Sequence, residues 1–241
     1  MTSQREIREQ APNQPTAAVL AGNLAYVPVW KRVLDVSCLL IAIPSLLPLM
    51  LIIAALIKIS SRGPVLFRQE RVGFLGNRFT LFKFRTMIEG ADTTVHEDYV
   101  ASLMASEGPM AKLDAQGDVR LIPVGRLLRA AGLDELPQLI NVLRGEMSLV
   151  GPRPCLPNEY DRFQPWQRER FDALPGLTGL WQVSGKNRLT FHEMIDCDIA
   201  YVRSRSLWLD LKIMLKTLPA IMTEVNGIRR ASASTDPKPS S

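Results

Sequence analysis

From Val36 to Ile57 the chain carries no charged residue. Wound as a helix, roughly 22 such residues extend about 33 Å, enough to cross the hydrocarbon core of a bilayer. A helix so long and so apolar on every side suits the core of a soluble domain poorly. Two features argue against a plain span. Pro44 and Pro48 lie in the middle, where each removes a backbone hydrogen bond and favours a bend. Both flanks are basic, Lys31 and Arg32 before the run and Lys58 and Arg62 after it, and basic flanks prefer the cytoplasmic side. A helix kinked at Pro48 that enters and leaves by the same face satisfies both flanks and is the expected form. A straight span with the N-terminal tail outside satisfies the length alone. Bent backbone in lipid needs its freed carbonyls paired again, and Ser45 is a nearby donor.

At 241 residues the chain can bury a sizeable core, so one domain with appendages is expected. A net charge of +5 points to anionic partners: phosphates, anionic lipid or nucleic acid. Cys38, Cys155 and Cys197 are odd in number and widely spaced. They read as reduced, packed thiols rather than as a disulfide or zinc set. His96 and His192 have no ligand-like neighbours and read as structural or exposed. Residues 1 to about 28 and 231–241 are polar, without apolar periodicity, and read as flexible tails. The apolar run begins too late and is too long for a secretory signal.

After the apolar run, Val65–Val72 and Arg78–Met87 alternate as two strands around a glycine-containing turn, Gly73–Gly76. Basic residues accumulate here (Arg62, Arg68, Arg71, Arg78, Lys83 and Arg85) against Glu70 and Glu89. Contact with lipid headgroups accounts for several of them. In KFRTM the alternation places Lys83 and Arg85 on one face and the aromatics on the other, a face able to hold phosphate oxygens.

Leu133–Pro154, LDELPQLINVLRGEMSLVGPRP, is the stretch richest in chemistry. Asp134 and Glu135 open a helix with Pro137 in its first turn. Leu136, Leu139, Ile140 and Leu143 recur at helical spacing as its buried face. Gly145 ends it, and the stiff GPRP turn aims Arg153. The amides of a helix N-terminus favour an ionised Asp134, and a held, ionised carboxylate is a nucleophile in some enzymes. An N-cap at Asp134 and a first-turn acid at Glu135 would account for the same residues without chemistry. Around this stretch, Ala91–Leu113 reads as a helical or partly ordered excursion and Pro123–Ala131 as a short basic helix. Pro157–Phe163 and Pro165–Ala173 read as short helices, and Pro175–Asn187 as turns anchored by Trp181. Thr190–Arg203 is a helix with a capping box from Thr190 to Glu193. Leu207–Val225 is amphipathic, able to pack on the core or to lie among headgroups, with core packing the simpler expectation.

Together these motifs resemble one family, the bacterial sugar transferases, which are monotopic polyprenyl-phosphate phosphoglycosyl transferases. The resemblance runs from about Trp30 to Gly227 and rests on KRVLD (Lys31–Asp35), the proline-kinked segment, KFRTM, LDELPQLINVLRGEMSLVGPRP, PGLTGLWQVSGKN and LDLK (Leu209–Lys212). It is their combination and order that is specific. The resemblance implies transfer of a sugar-1-phosphate from a UDP-sugar to undecaprenyl phosphate, with release of UMP and with Mg2+. It implies a ping-pong route through a covalent phosphosugar on Asp134, with Glu135 as partner and both carboxylates as metal ligands. Lys83 falls at the active site by the same comparison, with Arg129, Arg153 and Lys186 at the phosphates. Asp198 and Asp210 match acidic positions without an assigned role. Ala91–Leu113 resembles the insertion of exopolysaccharide-type members, which suggests a hexose such as galactose or glucose.

Three departures stand out. Leu47-Pro48 replaces the common Ser-Pro at the kink. Lys186 stands where arginine is common, keeping the charge but losing the bidentate fork. DVRLIPVGR departs from the usual wording before the acidic pair. The expected fold is α+β and mostly helical: a kinked re-entrant membrane helix, then a compact cytoplasmic catalytic domain with a small β-hairpin and amphipathic interface helices. The expected division is a flexible tail at 1–29, the membrane helix at 30–58, the catalytic domain at 59–227 and a disordered tail at 228–241. The setting is the cytoplasmic face of a bacterial inner membrane, with membrane lipid and both substrates as partners, no nucleic acid, and room for a homodimer. The rivals are a non-catalytic, membrane-tethered basic module binding nucleic acid or anionic lipid, and a lipid-diphosphate hydrolase.

Overall fold

Alternation explains the hairpin, and proline placement the starts of several short helices, in the computed structural model. It describes residues 26–88, 90, 99, 101–104, 106, 108–110, 120–185, 188–217 and 219. The expected tails fall largely outside these residues, as do Lys186 and most of the Ala91–Leu113 excursion. Helix α1, Val29–Ser60, carries Pro44 and Pro48 inside it. Strands β1 (Leu66–Val72) and β2 (Arg78–Phe84) follow as an antiparallel hairpin, with Phe67 opposite Lys83 and Arg71 opposite Phe79. Next come α2 (Gly125–Ala130), a 3₁₀ helix at Leu133–Gln138, α3 (Leu139–Arg144) and β3 (Ser148–Val150). The remaining described elements are α4 (Pro157–Arg162), a 3₁₀ helix at Pro165–Asp172, β4 (Gly176–Thr178), α5 (Leu180–Val183), α6 (Phe191–Ser204) and α7, residues 207–217. The fold is mostly helical with small sheets, and α1 is long and apolar enough to cross a membrane.

Helix α1 meets the rest of the protein at both ends. Near its start Leu39 packs with Leu81, Val142 and Met147; near its end Ile53 and Ile57 pack with Phe84, Ile122 and Leu128. Between these contacts Leu40, Ile41, Pro44, Leu47, Pro48, Leu51 and Ile52 are exposed. Each proline deprives a carbonyl four residues back of its usual donor, and Ser45 Oγ donates to the Ala42 carbonyl at 2.9 Å in this stretch. The start of α1 is fastened by charge. Lys31 Nζ lies 2.5 Å from Asp210 Oδ2 of α7, and Asp35 Oδ1 accepts from Ser148 Oγ at 2.9 Å and from the Leu149 N–H at 3.0 Å. Arg32 donates to the Val142 and Leu143 carbonyls, closing the C-terminus of α3. KRVLD and LDLK thus meet as partners, and Asp210 has a structural role.

A second sheet joins two motifs that lie apart in sequence. Strands β3 and β4 run parallel, pairing Ser148 with Gly176 and Val150 with Thr178. This brings GPRP against PGLTG. The approach is close enough that a Cβ on Gly151 would sit 2.1 Å from the Leu174 carbonyl oxygen, so no larger residue fits. Helix α6 begins with the expected capping box: the Glu193 N–H donates to Thr190 Oγ1 at 3.1 Å, and the Thr190 N–H to Glu193 Oε2 at 2.8 Å. Helix α7 packs on the core through Ile213 and Asp210, while Leu207, Trp208 and Leu215 stay exposed.

Two sequence expectations change. The helix carrying Asp134 starts as a 3₁₀ turn capped by Gly132 in the left-handed region (φ 66°), so Asp134 is not its N-cap. A 3₁₀ winding places residues three to a turn, and the buried face becomes Pro137, Gln138, Asn141 and Val142, with Leu143 exposed. The second change concerns Arg85, which lies beyond the end of β2. Its guanidinium donates to the Arg62 carbonyl at 2.5 Å and to the Ser61 carbonyl and Oγ at 3.1 Å. It therefore ties down the exit of α1 and does not share a phosphate-binding face with Lys83.

Candidate active site

The acidic pair, the strand lysine and an α2 arginine come together. Gly132 turns the chain from α2 into the 3₁₀ helix, so that Asp134 and Glu135 face β2 beside Lys83. Lys83 Nζ lies 2.8 Å from Glu135 Oε1, with 25% and 38% of the two side chains exposed. Burial pushes the Asp134 carboxyl up to about 6. Lys83 pulls it down, Glu135 pushes it up and Arg129 pulls it down again. This shift runs against the ionised state that a helix N-terminus favours, because dehydration outweighs the nearby cations.

Arg153 belongs to an adjoining network. Its two terminal nitrogens donate to buried Glu159, Nη1 at 2.7 Å and Nη2 at 3.2 Å. Burial disfavours the Glu159 anion, yet Arg153, Arg71 and Arg170 outweigh it and hold the carboxyl below its ordinary value. The backbone of Arg153 is gripped from both sides. Its N–H donates to Asp198 Oδ2 at 3.3 Å, and its carbonyl accepts from Arg170 Nη2 at 2.8 Å. Arg170 and Asp198 pair at 2.5 Å with neither exposed, so Asp198 holds the GPRP turn. Arg71 joins the two groups. It donates to the Pro154 carbonyl at 3.3 Å and to Gln69 Oε1 at 2.7 Å. Burial and then Arg153 lower its guanidinium to about 10, while Glu159 and Glu135 act in the opposite direction.

Of the sequence candidates, Asp134, Glu135, Lys83 and Arg129 act on one another directly, and Arg153 is bound into the buried network beside them. Pro48 lies in the exposed middle of α1, and Lys186 is outside the described residues. Sequence alone assigns Arg71 no role beyond the basic cluster of the hairpin; the pairing register sets it on the strand face that Lys83 shares. Cys155 sits in the network but burial pushes its thiol up to about 12, which rules it out as a thiolate nucleophile. Among the described residues no group of three or more His, Cys, Asp or Glu side chains forms a metal cage. Asp134 and Glu135 nonetheless fit Mg2+, which takes one or two carboxylates and completes its shell with water and substrate phosphates. The Glu135 charge raises the proton affinity of the Asp134 carboxyl, a repulsion that a divalent cation would relieve.

A model of the bacterial sugar transferase family matches residues 26–224, and the chain belongs to that family. It is 44% identical over 204 residues, covering 81% of this chain and 71% of the relative, to the UDP-glucose:undecaprenyl-phosphate glucose-1-phosphate transferase of Caulobacter vibrioides. It is 40% identical over 191 residues, 79% of this chain and 84% of the relative, to the exopolysaccharide production protein ExoY of Sinorhizobium fredii. The undecaprenyl-phosphate galactose phosphotransferase of Salmonella typhimurium is 36% identical over 198 residues, 80% of this chain and 40% of the relative. The chain is accordingly a phosphoglycosyl transferase rather than a non-catalytic basic module.

Proposed function

We propose that the enzyme transfers a hexose-1-phosphate, of the glucose or galactose type, from a UDP-sugar to undecaprenyl phosphate, releasing UMP and starting an exopolysaccharide or other lipid-linked glycan. The observation that supports the reading is that Glu135, next to Asp134 in the chain, contacts Lys83 at 2.8 Å, and that Lys83 and Arg129 both act electrostatically on the Asp134 carboxyl. In the first step a carboxylate oxygen of Asp134 attacks the sugar-bearing phosphorus. The bond to the bridging oxygen breaks, and UMP leaves with the electron pair. In the second, a phosphate oxygen of the polyprenyl acceptor attacks the same phosphorus, displaces the Asp134 carboxylate and completes the lipid-linked diphosphate. Diphosphate oxygens repel an incoming carboxylate, so cations that spread their charge account for much of the catalysis. Mg2+ bound at Asp134 and Glu135 would supply further charge neutralisation at the diphosphate.

The acceptor is confined to the lipid surface, so the site must sit at headgroup height. Support for a re-entrant α1 comes from its contacts: both ends pack on the same domain, and Pro44 and Pro48 lie in a largely exposed stretch between them. On this reading the domain lies on the cytoplasmic face of a bacterial inner membrane. Incubation with undecaprenyl phosphate and either UDP-glucose or UDP-galactose should release UMP, and Asp134→Asn should abolish that release. Rapid quench without acceptor should trap a phosphosugar on Asp134. Release of inorganic phosphate instead of UMP would indicate a diphosphate hydrolase.

A further inference from the structure

The outer edge of β2 carries an unusual partner. Asn141, fully buried on α3, donates through Nδ2 to the Thr80 carbonyl at 2.7 Å and accepts through Oδ1 from the Phe82 N–H at 3.2 Å. These are the bonds a neighbouring strand would make. Nδ2 also donates to Glu146 Oε2 at 2.6 Å, and the Asn141 carbonyl accepts from the Glu146 N–H at 3.0 Å and the Met147 N–H at 3.2 Å. Two acceptors on one side of the amide and one donor on the other fix which way it points. Carboxamide is the small side chain that meets all three demands.

The location gives this contact a consequence beyond satisfying an edge. Lys83 follows Phe82 directly on β2. Glu135 and Asp134 precede Asn141 on a helical run that passes from Leu133–Gln138 into Leu139–Arg144 without a break. We propose that Asn141 is a positioning residue: its side chain stands in for a strand on β2 and so sets the distance between Lys83 and the Asp134–Glu135 pair. Bonds to residues 80 and 82 together block both sliding and tilting of the strand against the helix. A misplacement near 1 Å in such a site costs about 100-fold in rate. The inference rests on the proposed function, in which Lys83 faces the diphosphate.

The test is a cycle of variants read by UMP release from UDP-glucose and UDP-galactose with undecaprenyl phosphate. Asn141→Leu should lower kcat/KM by about 10- to 100-fold and by less than about twofold in a Lys83→Met background, since the residue acts through Lys83. Equal losses in both backgrounds, or full activity of Asn141→Leu, would overturn the assignment while leaving the function intact. Full activity of Lys83→Met would overturn both. Should Asn141→Leu not fold, Asn141→Asp keeps the volume and the acceptor but sets a carboxylate against Thr80 and Glu146, and serves in the same cycle. A second readout needs no turnover: carbodiimide should couple Lys83 to Glu135 in the parent protein and several-fold less in Asn141→Asp. Undiminished coupling would count against the assignment.

Discussion

Lys31 and Asp210 are 179 residues apart in the chain and meet at 2.5 Å, with neither side chain open to solvent. The Tyr201 hydroxyl lies 2.8 Å from the other Asp210 oxygen and 3.1 Å from the Val150 carbonyl, sharing one proton between two acceptors. Removing one member of such a pair leaves a charge buried without its counterpart. Lys31→Met should cost about 3–5 kcal/mol of stability, read as a lower unfolding midpoint in detergent or nanodiscs. The double variant Lys31→Met, Asp210→Asn should recover part of that loss.

Lys83→Met should slow formation of the phosphosugar by about 10²–10³-fold, the usual effect of deleting one fixed charge or donor at a transition state. The measurement is the single-turnover burst of UMP without acceptor. A Lys83→Arg variant should restore charge without restoring reach, and so recover activity only in part.

The first step needs Asp134 deprotonated, and burial raises its carboxyl to about 6. The kcat/KM for UDP-sugar should therefore fall as pH drops through about 6. Lys83 lowers the Asp134 value and Glu135 raises it. The acid limb should move to higher pH in Lys83→Met and to lower pH in Glu135→Gln, whatever either change does to the maximal rate.

Glu159 titrates below its ordinary value of 4.5 when folded. Between the folded value and 4.5 the unfolded chain holds more proton at this position, so stability there rises with pH. The contribution is complete above the unfolded value and is lost as pH falls through the folded one. Acid unfolding of the parent should steepen below about pH 4.5, and Glu159→Gln should flatten that region while lowering stability at neutral pH.

Chelation of divalent ions with EDTA should suppress UMP release, and added Mg2+ should restore it. The unfolding midpoint should barely move, since the described core is built without a metal cage. A collapse of the fold on chelation would assign the ion a structural place instead.

How much of this could be read from sequence depends on the range of the interaction. The hairpin was legible because Leu66–Val72 and Arg78–Phe84 alternate, and the capping box at Thr190 because it is local. The second sheet was not: Ser148–Val150 and Gly176–Thr178 are three residues each, too short to show a period. Lys31 read as a flanking charge because its partner lies in another helix near the far end of the chain. Arg85 was paired with Lys83 by extending strand alternation past the point where the strand stops. The family resemblance points to Asp134, Glu135, Lys83 and Arg129, yet nothing in the motifs marks Asn141. A polar residue on an amphipathic helix reads as surface until the strand edge it covers is known.

The two ends of α1 do more than moor the protein. Leu39 fills the gap between Leu81, Val142 and Met147, and Ile53 with Ile57 fills the one beside Phe84, Ile122 and Leu128. A fragment beginning after Ser60 would therefore not be a tidy water-soluble enzyme missing its tether. It would carry two open wounds where the interior had been, and material prepared that way should clump rather than work.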